Sequence, residues 1–364
     1  MSEVKKPPRL HRQGLLFSSR KRKRSPSPSP ANESTIPHNP QFPEKKTIKT
    51  SILILSDTHG HSALPSLLPE NLHLDAVIHC GDLSQCGEIE DYKRTLDLLK
   101  AMPASIKLVI PGNHDLSLDP SFPTHSSPTF SATERQDLYA QALELWTSPS
   151  AKEARIILLD PGFQTFTLSN GANLHIYTTP YTPFPPTVST SEWAFGHPSS
   201  QDIYNPPGSG IWYSTPSGTP QTLIQDEKRG GVDVLISHGP PRYRLDRTEE
   251  GENVGCKNIW RAIRRCRPRV HAFGHVHAGY GADVVRWREE GKEGLPRDDD
   301  IDDGIEEVKE VDGRMVEGGV RLIEAKGARK GEETLFVNAA LMGDEVLERA
   351  PWVVEIELER AKVN

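Results

Sequence analysis

The sequence predicts an α/β fold in which two packed mixed β-sheets are flanked by helices, a four-layer sandwich, behind a disordered N-terminal tail. Three observations predict it. From residue 51 onward, short apolar runs alternate with helix-length segments such as 88–101 and 133–147. Many of the later runs follow one another with no helix between them, which a simple doubly wound sheet does not provide. Composition also shifts along the chain: residues 1–50 hold 12 Lys and Arg against 3 Asp and Glu, a net +9, whereas the remainder holds 31 against 47, a net −16.

Taken in order, residues 1–49 form the tail. It contains "SSRKRKRSPSPSP", a cationic block at Arg20–Arg24 followed by Ser25, Ser27 and Ser29, each before a proline. Little apolar content and dense charge cannot offset the entropy of ordering, so this part is predicted to be disordered. Such a block has the composition of a nuclear-localisation or polyanion-binding patch, and phosphate on the serines would cancel its charge; it is equally the composition of a solvated tail with no address. The folded domain is predicted over 50–364. Its strands fall near 51–55, 75–79, 106–110, 155–159, 164–168, 173–178, 232–236, 269–273, 318–323, 334–338 and 352–358. Residues 180–230 are too rich in proline for core elements, and a long loop in a compact domain is usually functional or disordered. Residues 288–313, with "RDDDIDDGIEEVKEVDG", read as a solvated acidic insertion.

Composition also sets limits on function. No run approaches the eighteen or so apolar residues of a membrane span, and the charged N-terminus has no apolar stretch fit for a secretory signal. An intracellular protein, cytoplasmic or nuclear, with no membrane partner is expected. Cys80, Cys86, Cys256 and Cys266 form no CxxC pair and are expected to be reduced thiols. The acidic body would repel a long polyanion, which disfavours nucleic acid as a partner of the folded domain. Nothing in the sequence sets the oligomeric state.

The chemistry lies at the ends of the strands. "SILIL" runs into Asp57-Thr58-His59, and in extended backbone residues i and i+2 point the same way, so the carboxylate and imidazole can converge. "LDAVIHC" runs into Gly81-Asp82, "IKLVI" through Pro111 into Gly112-Asn113-His114-Asp115, "VDVLIS" into His238, and "RVHAF" into Gly274-His275-Val276-His277. In open α/β sheets ligands sit at the carboxyl ends of strands, so these five loops would lie side by side. Two carboxylates, one amide and four imidazoles, without thiolates, suit divalent Mn, Fe, Zn, Ni or Co. They are more donors than one ion takes, and an aspartate can bridge a pair about 3.5–4 Å apart, the usual arrangement for phosphoester hydrolysis. His79 and His271 lie inside strands and read as core residues or as supports of the ligands. Trp193, Phe195, Trp212 and Tyr213 in the long loop either stack a nucleobase or anchor the loop.

These five blocks, in this order and each after a strand, resemble the calcineurin-like metallophosphoesterases. "HGPP" at 238–241, "WAF" at 193–195, "FGHVHAGYG" at 273–281 and "VNAA" at 337–340 are similar to a subgroup of small metallophosphoesterase-domain proteins. The resemblance covers residues 51 to about 341. It implies one metal on Asp57, His59, Asp82 and His277, and a second on Asp82, Asn113, His238 and His275, with Asp82 bridging. It further implies a bridging hydroxide as nucleophile and Mn as the leading metal. His114 would reach the phosphate and serve the leaving oxygen without binding metal, and Asp115 would support it. The expected substrate is a small phosphodiester, a cyclic nucleotide being one candidate, or a phosphomonoester. One departure narrows the reading. The phosphoprotein phosphatase branch has GDxxDR at the second block, whereas Gln85 and Cys86 stand in the last two positions here, so the acid partner of the histidine is missing in that form. The alternatives to an esterase are a metal-binding interaction scaffold with little catalysis, or a nuclease helped by the basic tail.

Overall fold

The structure is a computed structural model. It describes residues 46–362 apart from 66–67, 125–129, 186–191, 206–211, 215–219, 223–230, 289–303, 317–318 and 326–330. The basic block and its Ser-Pro repeats therefore lie outside the described residues, as does the most acidic part of 288–313.

Fourteen strands make up the two large sheets: β1 (Thr47–Leu55), β2 (Ala76–His79), β3 (Lys107–Val109), β4 (Ile156–Leu158), β5 (Gly162–Thr167), β6 (Asn173–Thr179), β7 (Val234–Ser237), β8 (Val270–Phe273), β9 (Gly281–Trp287), β10 (Ile305–Glu310), β11 (Arg314–Val316), β12 (Val320–Glu324), β13 (Glu333–Asn338) and β14 (Trp352–Glu359). The helices are α1 (Ile89–Lys100), α2 (Ala132–Trp146), α3 (Pro149–Glu153) and α4 (Lys257–Cys266). One sheet runs β11-β12-β14-β1-β2-β3-β4 and the other β10-β9-β13-β8-β7-β6-β5, seven strands each. Within the first, β1 to β4 are parallel and β14 is antiparallel to β1. In the second, β6, β7, β8 and β13 are parallel, with antiparallel β5 and β9 beside them.

Alternation along each strand separates the layers. On β1, Ile52 and Ile54 join Ile78, Leu108, Leu174, Ile236 and Ala272 in the core between the sheets. Leu53 and Leu55 face the other way, onto Tyr92, Leu96 and Leu99 of α1 and Trp146 of α2. Leu235, Phe273 and Phe336 pack outward on Ile259, Trp260 and Ile263 of α4. Strands covered on both faces are apolar on both, which is why the central runs are continuous rather than alternating.

Every strand and both helices expected from the sequence are present with ends within two residues, except that β1 begins four residues earlier, at Thr47. Among the strands of the two large sheets, β9, β10 and β11 are additional to those expected. The acidic insertion is corrected at Ile305–Glu310, which forms the edge strand β10 against β9 with Ile305 buried and the rest exposed. Parts of the long loop are ordered against the domain: its 182–183 pairs with 196–197, Phe195 is buried against Tyr181, and Tyr204 is buried against α4's cluster. The side chains of Trp212 and Tyr213 lie outside the described residues. All four cysteines are free thiols. Among the described residues no helix is long and apolar enough to cross a membrane.

Candidate metal centre

The parallel strands β1, β2 and β3 of one sheet and β7 and β8 of the other end at the same place, and the loops after them are stitched together. Asp57 N–H donates to the Gly81 carbonyl at 2.9 Å, His59 N–H to Asp82 at 3.0 Å, and Gly274 N–H to His238 at 2.9 Å. The chain reaches this arrangement by tight left-handed turns. Asp57, His59, Asp82 and His275 have φ of 56°, 44°, 55° and 70°, a region that costs a non-glycine residue roughly 1–2 kcal/mol. Asp57 and His59 do converge, yet the extended-backbone argument for it fails, because both are in turn conformation. Strain of this kind gathers at functional sites. Two glycines make the approach possible. A Cβ on Gly274 would overlap Asp57 Oδ2 and Ser56 Oγ, and one on Gly112 would overlap Asp82 Oδ1 and His238.

The side chains form overlapping clusters whose donor atoms lie within 4.8 Å of one another: Asp57, His59 and His277; Asp82, His238 and His275; and His59, Asp82 and His114. Asp57 Oδ1 is 3.3 Å from His277 Nε2. Asp82 faces both halves, with Oδ2 at 3.7 Å from His59 Nε2 and Oδ1 at 3.3 Å from His238 Nε2. Asn113 Oδ1 lies 2.8 Å from the same His238 nitrogen. His238 Nδ1 donates to the Cys80 carbonyl at 2.9 Å, which fixes the tautomer and leaves Nε2 for the centre. His59 has neither ring nitrogen hydrogen-bonded although both are buried. An orphaned buried imidazole among carboxylates, an amide and other imidazoles fits a divalent cation of the borderline class.

Burial is the largest single influence on these groups and opposes charge on each. At Asp57 the His277 hydrogen bond and the charges of His238 and His277 outweigh it and leave the carboxyl at about 2. Asp82 is held well below the usual carboxylate range, burial being overcome chiefly by His238 and His114. His238 rises to about 9 because the Asp82 carboxylate outweighs burial. At His277 burial is outweighed only by the Asp57 hydrogen bond together with the charges of Asp57 and Asp82, which leave it raised. His275 falls to about 3 through burial and then the His238 charge, and burial lowers His59. The arrangement thus offers two ionised carboxylates and at least two neutral imidazoles, with protons on the others that a cation would displace.

His114 and Asp115 separate. The His114 ring stands edge-on to His59, centroids 4.9 Å apart, and its Nδ1 is 2.7 Å from the Gln85 carbonyl, so that nitrogen carries the proton and Nε2 is free for the cluster. Asp115 does not hold this ring, which corrects the expected support. Its buried carboxylate accepts from Gly112 N–H at 2.7 Å, Ser84 N–H at 2.9 Å, Leu83 N–H at 3.1 Å and Ser84 Oγ at 2.8 Å, bracing the β2 and β3 loops. Burial and Asp82 push it up to about 7, against the pull of those donors.

Residues that the sequence marked as strand histidines or loop aromatics, and not as ligands, support the centre. Buried His79 accepts from Gly81 N–H through Nδ1 and bonds Thr58 Oγ1 at 2.9 Å, and His271 bonds Ser237 Oγ at 2.7 Å; both brace strand ends. Trp193 sets its edge against His275, centroids 5.4 Å apart, while its Nε1 donates to Thr182 Oγ1 at 2.8 Å. A groove of about 1130 Å³ opens beside His275 and His277 and is lined by Phe184, Tyr243 and Trp260 with the cations Arg242 and Lys257.

The model of the calcineurin-like phosphoesterase family matches residues 50–279. Metallophosphoesterase domain-containing protein 1 of Homo sapiens is 28% identical over 249 residues, which is 68% of this chain and 65% of that protein. A UPF0046 protein of Caenorhabditis elegans is 30% identical over 234 residues, 62% of this chain and 50% of the relative. A protein of Emericella nidulans named "Probable rhamnogalacturonate lyase C" is 29% identical over 243 residues, 67% of this chain but 19% of that protein. The similarity therefore spans less than two thirds of each relative, and the lyase name describes a far longer polypeptide.

Proposed function

The chain belongs to the calcineurin-like phosphoesterase family, and from that premise we propose that it hydrolyses small phosphodiesters, cyclic nucleotides among them, or phosphomonoesters at a dinuclear metal centre. One divalent ion is held by Asp57, His59, Asp82 and His277, and the other by Asp82, Asn113, His238 and His275. The observation that carries this reading is the position of Asp82, whose two carboxylate oxygens face the two halves of the cluster, at 3.7 Å from His59 and 3.3 Å from His238. When bound, a pair of such ions supplies positive charge to the phosphoryl oxygens and acidifies water. Mn leads, and Fe, Zn, Ni or Co suit the same donors.

The chain's own groups supply the rest. Hydrolysis breaks the ester P–O bond and puts a water oxygen on phosphorus, so the departing oxygen needs a proton. His114, with Nδ1 committed to Gln85 and Nε2 free, is the residue of this site that can hold one there. The groove beside His275 and His277 gives the rest of the substrate a mixed wall, apolar at Phe184, Tyr243 and Trp260, cationic at Arg242 and Lys257 and acidic at Glu249 and Glu250. A panel of a nitrophenyl diester, a nitrophenyl monoester, cyclic nucleotides and single-stranded DNA, each with added Mn, tests the reading. Turnover of a diester or monoester with little action on DNA is expected. No turnover by the metal-loaded protein would favour the interaction scaffold, and preference for DNA the nuclease.

A further inference from the structure

Nothing in the five strand-end blocks accounts for a pair of charges on the first turns of α1. Asp91 is buried, 7% exposed, and its Oδ2 accepts the Gln85 N–H at 2.8 Å. Its other oxygen takes the Arg94 guanidinium, and Arg94 Nε donates to the Gly60 carbonyl at 2.6 Å, just past the Asp57-Thr58-His59 turn. Gly60 itself, at φ 73°, leaves the space that Asp91 occupies, since a Cβ there would come within 2.5 Å of the Asp91 carboxyl carbon. On the next peptide, Cys86 N–H donates to Glu88 Oε2 at 2.8 Å. Residue 85 is thereby clamped on both sides, and its carbonyl is the group that holds His114 Nδ1 at 2.7 Å.

We propose that Asp91, backed by Arg94, is the positioning residue for His114, acting through the Gln85 peptide. Gln85 and Cys86 are both exposed and lie between β2 and α1; exposed Glu88 takes the Cys86 N–H of the peptide that carries this carbonyl, and buried Asp91 holds the peptide before it from the inner side. The buried carboxylate, paired with an arginine, is the firmer of the two anchors and fixes where residue 85 begins, because an unpaired charge at that depth is costly and the N–H contact is charge-assisted. The carbonyl then sets both the tautomer of His114 and the rotation of its ring, as a backbone acceptor commonly does for a working histidine. An imidazole freed of this contact samples other rotamers and loses the alignment that proton transfer needs.

The inference rests on His114 serving the leaving oxygen, and its test separates the two claims. Two NMR measurements on metal-free protein need no activity. The wild type should show a slowly exchanging imidazole N–H resonance that His114→Ala abolishes, together with a protected Gln85 amide. In Asp91→Ala both should exchange at least tenfold faster. Kinetics on Mn-loaded protein then follows. Asp91→Ala should lose about tenfold or more on a diester with an alkyl leaving group and change within about twofold on a nitrophenyl diester, with metal content unchanged. Asp91→Asn keeps one acceptor oxygen for Gln85 and should restore most of the difference. Arg94→Ala should move the ratio in the same direction as Asp91→Ala but by less, and lower thermal stability. An unprotected Gln85 amide in the wild type, a His114 signal unaltered in the Asp91 variants, or equal losses on both substrates would overturn the positioning role. If Asp91→Ala does not fold, the wild-type protection data and Asp91→Asn decide it. A wild type inactive on every phosphoester would remove the esterase reading and leave the NMR test standing.

Discussion

His114 follows a proposed ligand, and consecutive residues usually cannot both face one ion; here its Nδ1 is engaged by Gln85 and only Nε2 turns to the centre. A positioned acid is typically worth about 10² to 10⁴ in rate, and a leaving group that is already a stable anion needs little of it. His114→Ala is therefore expected to retain its metals, lose most activity on an alkyl diester and lose clearly less on a nitrophenyl ester. Metal loss, or equal slowing of both substrates, would make it a ligand or an anion-positioning group instead. At this scale the sequence was informative where a residue type carries chemistry by itself. Asp57, Asp82, His238, His275 and His277 could be picked out because each follows an apolar run. Asp115 was misjudged because its partners are backbone N–H groups, which no residue pattern displays. Asp91 was passed over because it sits on a helix, nine positions beyond Asp82, and reaches the site only through a peptide.

The elements that aim these residues are strand ends that turn left-handed, and glycine is what lets neighbouring turns close on one another. Gly274→Ala puts a methyl group against Asp57 Oδ2 and Ser56 Oγ, neither of which is the free end of a flexible side chain. Overpacking of this kind typically costs about 1–3 kcal/mol. The variant is expected to melt several degrees lower and to retain less metal than the wild type, measured by thermal unfolding and metal analysis; unchanged values for both would mean that the β8 loop yields without disturbing Asp57. Short apolar runs marked the core strands because both faces of a central strand are covered. Helix α4 has a pattern legible in the sequence, with Ile259, Trp260, Ala262 and Ile263 at helical spacing among Arg261, Arg264 and Arg265, and the structure shows what covers that face, Phe273 and Phe336. Edge strand β10 was missed because a single buried residue, Ile305, gives no period of two.

Across the whole molecule, two sheets contribute to one centre: Asp57, Asp82 and Asn113 come from the first, and His238, His275 and His277 from the second. The centre therefore forms only when the sheets have packed through Ile52, Ile54, Ile176 and Ile236, and metal bound there ties them together. Asp82 is the residue on which the dinuclear account stands. Its most direct test is the number of Mn ions held per chain after reconstitution, by metal analysis and calorimetric titration, in the wild type and in Asp82→Asn. Two ions per wild-type chain are predicted, with weakened binding at both sites in the variant. A wild type that holds one ion or none, or an Asp82→Asn protein that keeps two at undiminished affinity, would contradict it.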